Sequence, residues 1–252
     1  MAELKALIFD VDGTLADTER YAHLVAFNQA FEEHQLDWHW SEELYGDLLK
    51  VTGGKERMNY YLDTYRPDYQ RPDNLQEFIA TLHKAKTKHY NELVATGKIP
   101  LRPGVKRLIQ EARETGIRLA IATTTTFENV TTLLKTSLAP DSVDWFEVIG
   151  AGNVVPAKKP AADIYHYVLE KMNLPAENCM AFEDSYNGIQ ASQGANLRTL
   201  ITINGYTQDH DFTGATLVVD HLGEPDQPFQ VIAGDAGGAS YVNIDLVKRL
   251  MQ

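Results

Sequence analysis

The chain has a single cysteine, Cys179, and no apolar run that approaches the length of a membrane-spanning helix. One cysteine excludes an internal disulfide, and a spanning helix needs roughly 20 consecutive apolar residues. Positive charge is also scarce, because 23 Lys and Arg stand against 35 Asp and Glu, for a net charge of −12. This balance argues against nonspecific binding to nucleic acid or to an anionic membrane surface. An anionic substrate would therefore need local basic residues, a metal ion, or both.

The length and composition are those of an ordinary globular protein. The 252 residues suit one large domain or a core with a smaller domain inserted, and 44% of them are hydrophobic. The first residues run directly into an apolar segment, so we expect no signal or transit peptide and a cytoplasmic location. We also expect a monomer that acts on a small molecule, without a nucleic-acid or membrane partner.

Short apolar segments alternate with helical patterns after residue 103, which predicts an α/β fold with a parallel sheet. We expect strands at about 5–10, 117–122, 146–149, 179–182, 198–201 and 215–219, and helices at about 104–115, 127–138, 161–172, 185–193 and 243–251. A helical stretch at 16–97 separates the first strand from the others and is far longer than a normal connection. We therefore predict a core formed by 1–15 and 98–252, with a helical cap inserted at 16–97. Residues 223–252 fit no motif.

Two aspartates end the first predicted strand, where residues 7–15 read Leu-Ile-Phe-Asp-Val-Asp-Gly-Thr-Leu. Side chains at positions i and i+2 of an extended chain share a face, roughly 6–7 Å apart. Asp10 and Asp12 could thus flank a phosphoryl group, one carboxylate attacking while the other handles a proton. The same pair could hold a divalent cation, or it could be an ordinary polar turn after a strand.

Polar side chains also follow three further strands, at the edge where parallel sheets bind ligands. These are Thr123 and Thr124 in a threonine run, Lys159 before Pro160, and Glu183 with Asp184. Each has a structural explanation, because threonine caps helices, charged pairs are often solvated, and acids are favoured at helix starts. Together with the aspartate pair they form the set that phosphoryl transfer needs: a nucleophile, donors to phosphate, a cation, and ligands for a magnesium ion.

This ordered set resembles the four motifs of the haloacid dehalogenase-like hydrolase superfamily. The matching residues are Asp10-Val11-Asp12-Gly13-Thr14, Thr123, Lys159-Pro160 and Glu183-Asp184. The resemblance covers nearly the whole chain and implies a Rossmann-like parallel-sheet core flanked by helices, with an inserted α-helical cap. It implies that Asp10 is the nucleophile, that Asp12 is the general acid and base, and that Thr123 and Lys159 hold the phosphoryl group. It also implies Mg²⁺ bound by Asp10, the backbone carbonyl of Asp12, and Asp184, with Glu183 in support.

Two basic stretches of the predicted cap are candidates for binding a second anionic group. Gly53 and Gly54 would let backbone N–H groups approach a phosphate, and Lys55 and Arg57 could grip it. A helix start with a solvated charged face explains the same pattern equally well. The second stretch, 84–88, has the pattern of a solvated helix face, with Lys86 as the exception that we retain as a candidate.

The cap resembles that of the CbbY-like branch of this superfamily. The similar residues are Ala16-Asp17-Thr18-Glu19, Asp37-Trp38, Thr52 to Arg57, and Ala85-Lys86-Thr87. The branch removes phosphate from sugar phosphates, and the resemblance to xylulose-1,5-bisphosphate phosphatases implies removal of the one-position phosphate to give xylulose 5-phosphate. It also implies that Glu19 binds sugar hydroxyls and that Lys55, Arg57 and Lys86 contact the far phosphate. The branch often has a histidine in its first cap helix, but His23 lies one residue later than that position. Either the helix holds an extra residue or His23 is a surface histidine.

Three alternatives stay open at this point. A β-phosphoglucomutase-type isomerase shares the phospho-aspartate step, and Thr14 after Gly13 favours a phosphatase by resemblance only. A phosphatase of another small sugar phosphate would carry the same motifs. A binding or regulatory protein that lost the chemistry would lack a nucleophile or a metal ligand, yet both are present in this chain.

Overall fold

The chain is described by a computed structural model that covers residues 3–252 and divides into two compact units. The larger unit combines the residues up to Asp17 with Pro100–Gln252, and the smaller one is Thr18–Ile99. Our prediction put the inserted part at 16–97, and its role as a substrate cap stays a prediction. None of the helices in the described part of the chain is long and apolar enough to cross a membrane.

The smaller unit is helical and has an aromatic core. A turn of π-helix (Glu19–His23) leads into α1 (Leu24–Glu33), which is followed by α2 (Glu42–Leu48), α3 (Gly54–Thr64) and α4 (Leu75–Ala95). Trp40 lies at the centre, with ring centroids 4.6 Å from Phe27 and 4.9 Å from Phe31. Asn28 of α1 binds both backbone groups of Trp40, at 2.9 and 2.8 Å. The segment before α2 is therefore fixed against α1 by aromatic packing and by two hydrogen bonds.

The larger unit is built on a seven-stranded sheet with the order β3-β2-β1-β4-β5-β6-β7. Its strands are β1 (Ala6–Phe9), β2 (Arg118–Ala122), β3 (Val148–Gly150), β4 (Cys179–Glu183), β5 (Arg198–Thr202), β6 (Leu217–Val219) and β7 (Val231–Gly234). The first six are parallel and each overlaps a predicted strand, whereas β7 is antiparallel to β6. The α/β class and the parallel sheet are confirmed, and β7 was not predicted.

Helices flank this sheet. They are α5 (Val105–Glu114), α6 (Phe127–Leu133), α7 (Asp163–Met172), α8 (Tyr186–Gly194) and α9 (Ile244–Leu250). A π-helical turn (Leu134–Leu138) extends α6, and 3₁₀ turns occupy Ser142–Trp145 and Ala176–Asn178. Side-chain hydroxyls begin two of these helices, because Thr126 accepts from the Asn129 N–H and Ser185 accepts from the Gly188 N–H.

The register of the three central strands determines where the polar residues lie. All four residues of β1 are buried, and Phe9 pairs with Ile121 on one side and with Phe182 on the other. The rings of Phe9 and Phe182 stack at 4.5 Å. Because Phe9, Ile121 and Phe182 lie at one level of the sheet, the residue that follows each of them, Asp10, Ala122 or Glu183, comes to the same edge.

The C-terminal segment, which the sequence left uninterpreted, is held against the core by Arg107 of α5. Its guanidinium donates to the Glu224 carboxylate at 2.8 Å, to the Val242 carbonyl at 2.8 Å and to the Gly223 carbonyl at 2.7 Å. Residues 223–252 therefore complete the larger unit by adding β7 to the sheet and α9 beside α5.

Replacing Arg107 should destabilise the larger unit. Arg107→Met keeps the aliphatic part of the side chain but removes the donor to one Glu224 oxygen and to two backbone carbonyls, and we expect a loss of about 1–3 kcal/mol. Urea unfolding of the full chain measures this loss. Lys106→Met, at the exposed neighbouring position of the same helix, is the control and should change stability by less than about 0.5 kcal/mol. Equal stabilities of the two variants would contradict the anchoring role.

Cys179 should be inert in the folded protein. The side chain is fully buried at the start of β4, and burial raises the pKa of its thiol to about 11. At pH 8 the thiolate fraction is then on the order of 0.1%, and a reagent has no access to it. We expect no reaction with a thiol-specific disulfide reagent in the native state and one equivalent after unfolding in urea. Rapid reaction of the native chain would show that the Cys179 thiol is accessible to the reagent.

Candidate active site

The ammonium group of Lys159 joins three strand ends. Its Nζ donates to the Asp10 carboxylate at 2.6 Å, to the Glu183 carboxylate at 2.5 Å and to the Ala122 carbonyl at 2.8 Å. Asp10 follows β1, Ala122 ends β2 and Glu183 ends β4. Lys159 is itself buried, so its charge is satisfied entirely by these groups of the protein.

Glu183 is held from two helices as well. The Tyr165 hydroxyl of α7 donates to the same Glu183 oxygen that Lys159 binds, at 2.5 Å. On the other side, a Cβ added to Gly188 of α8 would lie 1.9 Å from the second Glu183 oxygen, so only glycine fits there. The sequence did not predict a role for Tyr165, because a tyrosine on the apolar face of a helix is usually a packing residue of the hydrophobic core.

Three buried carboxylates form a cluster that suits a divalent cation. Asp10, Glu183 and Asp184 each offer one oxygen, and these oxygens lie within 4.8 Å of one another. The second oxygen of Glu183 is buried, and among residues 3–252 it has no hydrogen-bond partner. An unpaired buried carboxylate oxygen is costly, and hard cations prefer oxygen ligands, so these residues fit such an ion. The Asp12 carboxylate is not part of this cluster, and its predicted contribution, a backbone carbonyl, stays a prediction.

Burial and neighbouring charges shift the pKa values of this cluster. Burial raises the pKa of Asp10 to about 8, with Lys159 acting against the shift and Glu183 adding to it. Burial alone would lower the pKa of Lys159, but the carboxylates of Asp10 and Glu183 outweigh it and raise the pKa of the ammonium group. Burial and the Glu183 charge also raise the pKa of Tyr165, so its hydroxyl remains a donor. The site thus keeps a permanent cation beside a carboxylate that needs added positive charge to stay ionised.

Asp12 lies two residues after Asp10, and Thr123 and Thr124 directly follow Ala122, whose carbonyl Lys159 binds. Asp12 is half-buried, and its charge contributes to the raised pKa of Asp10. Thr123 is buried, and its hydroxyl accepts from the Thr125 N–H at 3.3 Å, whereas Thr124 is half-buried. Thr126 is the residue that caps α6. The helix-cap explanation of the threonine run therefore applies to Thr126 and leaves Thr123 and Thr124 for another role.

In the smaller unit, the half-buried Glu19 is joined to two buried residues, Tyr45 and Arg57. The Tyr45 hydroxyl donates to the Glu19 carboxylate, and Arg57 donates to the Tyr45 hydroxyl at 2.8 Å. The Arg57 guanidinium lies 3.9 Å from the Glu19 carboxylate, and its side chain is 9% exposed. Both charged residues were predicted to bind substrate. The structure places Arg57 as the internal partner of Glu19 and Tyr45.

His23 and Lys86 form a second buried polar pair in the same unit. The Lys86 ammonium contacts Nδ1 of His23 and lies about 5 Å above the rings of Phe27 and Tyr90. The His23 ring stacks on Tyr90 with centroids 4.3 Å apart. The π-helical turn at Glu19–His23 closes its hydrogen bonds one residue further along the chain than an α-helix does, which fits the first of the two alternatives, an extra residue in this helix. His23 is therefore a buried residue and not a surface histidine.

The glycine pair of the smaller unit begins a helix. Gly53 has a φ of +101°, and α3 starts at Gly54, where an added Cβ would meet the His83 ring at 2.8 Å. Lys55 is exposed in the first turn of that helix. In the second basic stretch, 84–88, both lysines that flank Lys86 are exposed, as a solvated helix face predicts.

Comparison with known proteins relates this geometry to a family. A sequence profile of the haloacid dehalogenase-like hydrolases matches residues 4–196. The chain is 49% identical to a CbbY protein of Cupriavidus necator over 225 residues, covering 89% of this chain and 88% of the relative. It is 48% identical to CbbY of Rhodobacter capsulatus over 213 residues, which cover 84% and 91% of the two chains.

Solved structures lead to the same family. CbbY of Rhodobacter sphaeroides in complex with phosphate matches with a TM-score of 0.80 and 43% identity, over 86% of this chain and 94% of that one. The D10N mutant of that protein, solved in complex with xylulose 1,5-bisphosphate, matches with the same TM-score and identity. The chain belongs to the haloacid dehalogenase-like hydrolase family and, within it, to the CbbY-like branch.

Proposed function

We propose that this enzyme is a Mg²⁺-dependent phosphatase that converts xylulose 1,5-bisphosphate into xylulose 5-phosphate and phosphate through an aspartyl-phosphate. The observation that carries the proposal is the buried Asp10 carboxylate, bound by the Lys159 ammonium group inside a cluster of three carboxylates. The complex of the related CbbY mutant with xylulose 1,5-bisphosphate supports the choice of substrate.

Asp10 is proposed as the nucleophile. One oxygen of its carboxylate attacks phosphorus, and the bond between phosphorus and the oxygen on the first sugar carbon breaks. A phosphate monoester is a dianion that repels a carboxylate, so positive charge at the site has to offset the repulsion. Lys159 supplies one charge, and the carboxylates of Asp10, Glu183 and Asp184 would hold Mg²⁺ as the second. When bound, that ion would neutralise phosphate oxygens and favour the ionised form of Asp10.

Asp12 is proposed to move the protons. It protonates the sugar oxygen as that oxygen leaves, and it then takes a proton from the water that attacks the aspartyl-phosphate. The second attack breaks the bond from phosphorus to the Asp10 oxygen and releases phosphate. The half-buried position of Asp12 suits this role, because the group must exchange protons with water while Asp10 stays enclosed.

Thr123 and Thr124 are proposed to bind the phosphoryl oxygens with Lys159. Because the Thr123 hydroxyl already accepts from the Thr125 N–H, its own proton is oriented to donate elsewhere. A donor at this position would stabilise the charge that develops on the transferring group.

The smaller unit is proposed to select the substrate. Glu19 binds sugar hydroxyls, and Lys55, Arg57, Lys86 and the backbone at Gly53 and Gly54 bind the far phosphate. The exposed position of Lys55 at the start of α3 supports this assignment, because phosphate is favoured at a helix N-terminus.

Replacing the nucleophile should abolish turnover. We expect Asp10→Asn to lower kcat by more than about 10³-fold, since the amide cannot form the aspartyl-phosphate. Phosphate release at saturating Mg²⁺ is the measurement, and trapping of radioactive phosphate on the wild-type chain tests for the covalent intermediate. The control is Asp226→Asn at an exposed position, which should keep wild-type activity. Mg²⁺-dependent phosphate release by Asp10→Asn would exclude this assignment.

A substrate panel should separate the proposed reaction from its alternatives. We expect kcat/KM for xylulose 1,5-bisphosphate to exceed the values for ribulose 1,5-bisphosphate, fructose 1,6-bisphosphate and glucose phosphates by about tenfold or more, because sugar hydroxyls are recognised by buried polar groups. Equal values would contradict the bisphosphate specificity. Glucose 1-phosphate with a trace of glucose 1,6-bisphosphate forms the other arm. Conversion to glucose 6-phosphate without phosphate release would identify a mutase.

A further inference from the structure

A fifth strand end contributes to the acidic cluster. The segment after β5, 203–207, brings Asn204 next to Asp184, and the Asn204 side-chain amide donates to Oδ2 of Asp184 at 2.6 Å. No sequence motif pointed to this residue, since an Asn-Gly pair after a strand is typical of a plain turn.

The orientation of the Asn204 amide is determined by its other contacts. Its Oδ1 accepts from the backbone N–H of Tyr206 at 2.9 Å. A backbone N–H can only donate, so the oxygen of the amide has to face Tyr206 and the NH₂ group has to face Asp184. The Asn204 N–H in turn donates to the Thr207 hydroxyl at 2.9 Å. The Tyr206 N–H thus determines which group of the amide faces Asp184, whereas the Thr207 hydroxyl binds only the backbone of the turn.

The loop that follows the nucleophile packs against this pair. Gly13 has a φ of +86°, and an added Cβ would lie 2.2 Å from Oδ2 of Asp184 and 2.7 Å from Nδ2 of Asn204. Arg102 connects the same two segments, because its guanidinium donates to the carbonyls of Gly13 and Ile203, and to that of Thr202 at 3.1 Å. The Asp184–Asn204 contact is therefore enclosed between two segments that are tied to each other.

We propose that Asn204 is a positioning residue for the divalent-cation site, which it serves by holding one oxygen of Asp184. This inference rests on the cation site of the proposed function. Hydrogen bonds to the outer side of a ligating carboxylate fix its rotamer, and their loss commonly lowers metal affinity 10–100-fold. Asn204 is the amide donor for Asp184, as Tyr165 is the hydroxyl donor for Glu183.

The test is Mn²⁺ binding to the full-length, metal-free protein, followed by the electron paramagnetic resonance signal of free Mn²⁺. We expect Asn204→Ala to bind Mn²⁺ about tenfold more weakly than the wild type. Thr207→Ala is the matched control, because it removes a hydrogen bond to the backbone of the same turn and leaves both hydrogen bonds of the Asn204 side chain; it should bind Mn²⁺ within twofold of the wild type. Asn204→Ser, whose hydroxyl can still accept from the Tyr206 N–H but is too short to reach Asp184, should behave as Asn204→Ala does.

A second readout separates positioning from general damage. The Mg²⁺ concentration for half-maximal phosphate release should rise by the same factor in Asn204→Ala and Asn204→Ser, while kcat at saturating Mg²⁺ stays within about threefold of the wild type. Mn²⁺ affinity within twofold of the wild type in both variants would overturn the inference, as would an equal loss in Thr207→Ala. A wild-type protein that binds no Mn²⁺, or an Asp184→Asn variant that binds it normally, would instead contradict the cation site itself.

Discussion

The Lys159 ammonium group is the interaction on which the candidate active site depends. It is buried, and it binds acceptors from the ends of β1, β2 and β4. A buried charge costs several kcal/mol of desolvation unless good partners satisfy it, and breaking a buried pair leaves the remaining charge uncompensated. Asp10 and Glu183 can lie this close only because Lys159 lies between them. The same ammonium group therefore joins the ends of three parallel strands and balances the negative charge that they bring together.

An acidic protein can bind a dianionic substrate only if its positive charge is local and held in place. The larger unit does this with Lys159 and with a carboxylate cluster that suits a divalent cation. The cations of the smaller unit are fixed in another way, because Arg57 is paired with Glu19 and Tyr45 while Lys86 lies over aromatic rings and against His23. Cations that are fixed by neighbours lose little further side-chain entropy if an anion binds, so fixed local charges suit anion binding by a protein with a net charge of −12.

Much of the larger unit could be predicted because its signals are local. Short apolar strands indicate the parallel sheet, and the polar residues that follow several of them indicate the edge where the site lies. The residues that orient the acids could not be predicted in this way, since Tyr165 and Asn204 reach Glu183 and Asp184 from segments that meet only in the folded chain. β7 was missed because its residues are exposed and lack a buried pattern. The π-helical turn at Glu19–His23 likewise has no sequence signature beyond the displaced histidine.

The positions of the two acids at the end of β4, Glu183 and Asp184, depend on neighbouring glycines as much as on hydrogen bonds. Glu183 abuts Gly188, and Asp184 abuts Gly13, at separations that no Cβ would permit. Each acid therefore has backbone on one side and a donor on another, which leaves the carboxylate few rotamers to adopt. A cation site whose ligands are already in place needs less rearrangement when the ion binds. The glycines and the donors Tyr165 and Asn204 would therefore both raise the affinity of the site for the cation. In this family member the orientation of the acids is set by glycines and hydrogen-bond donors that would touch neither the ion nor the substrate.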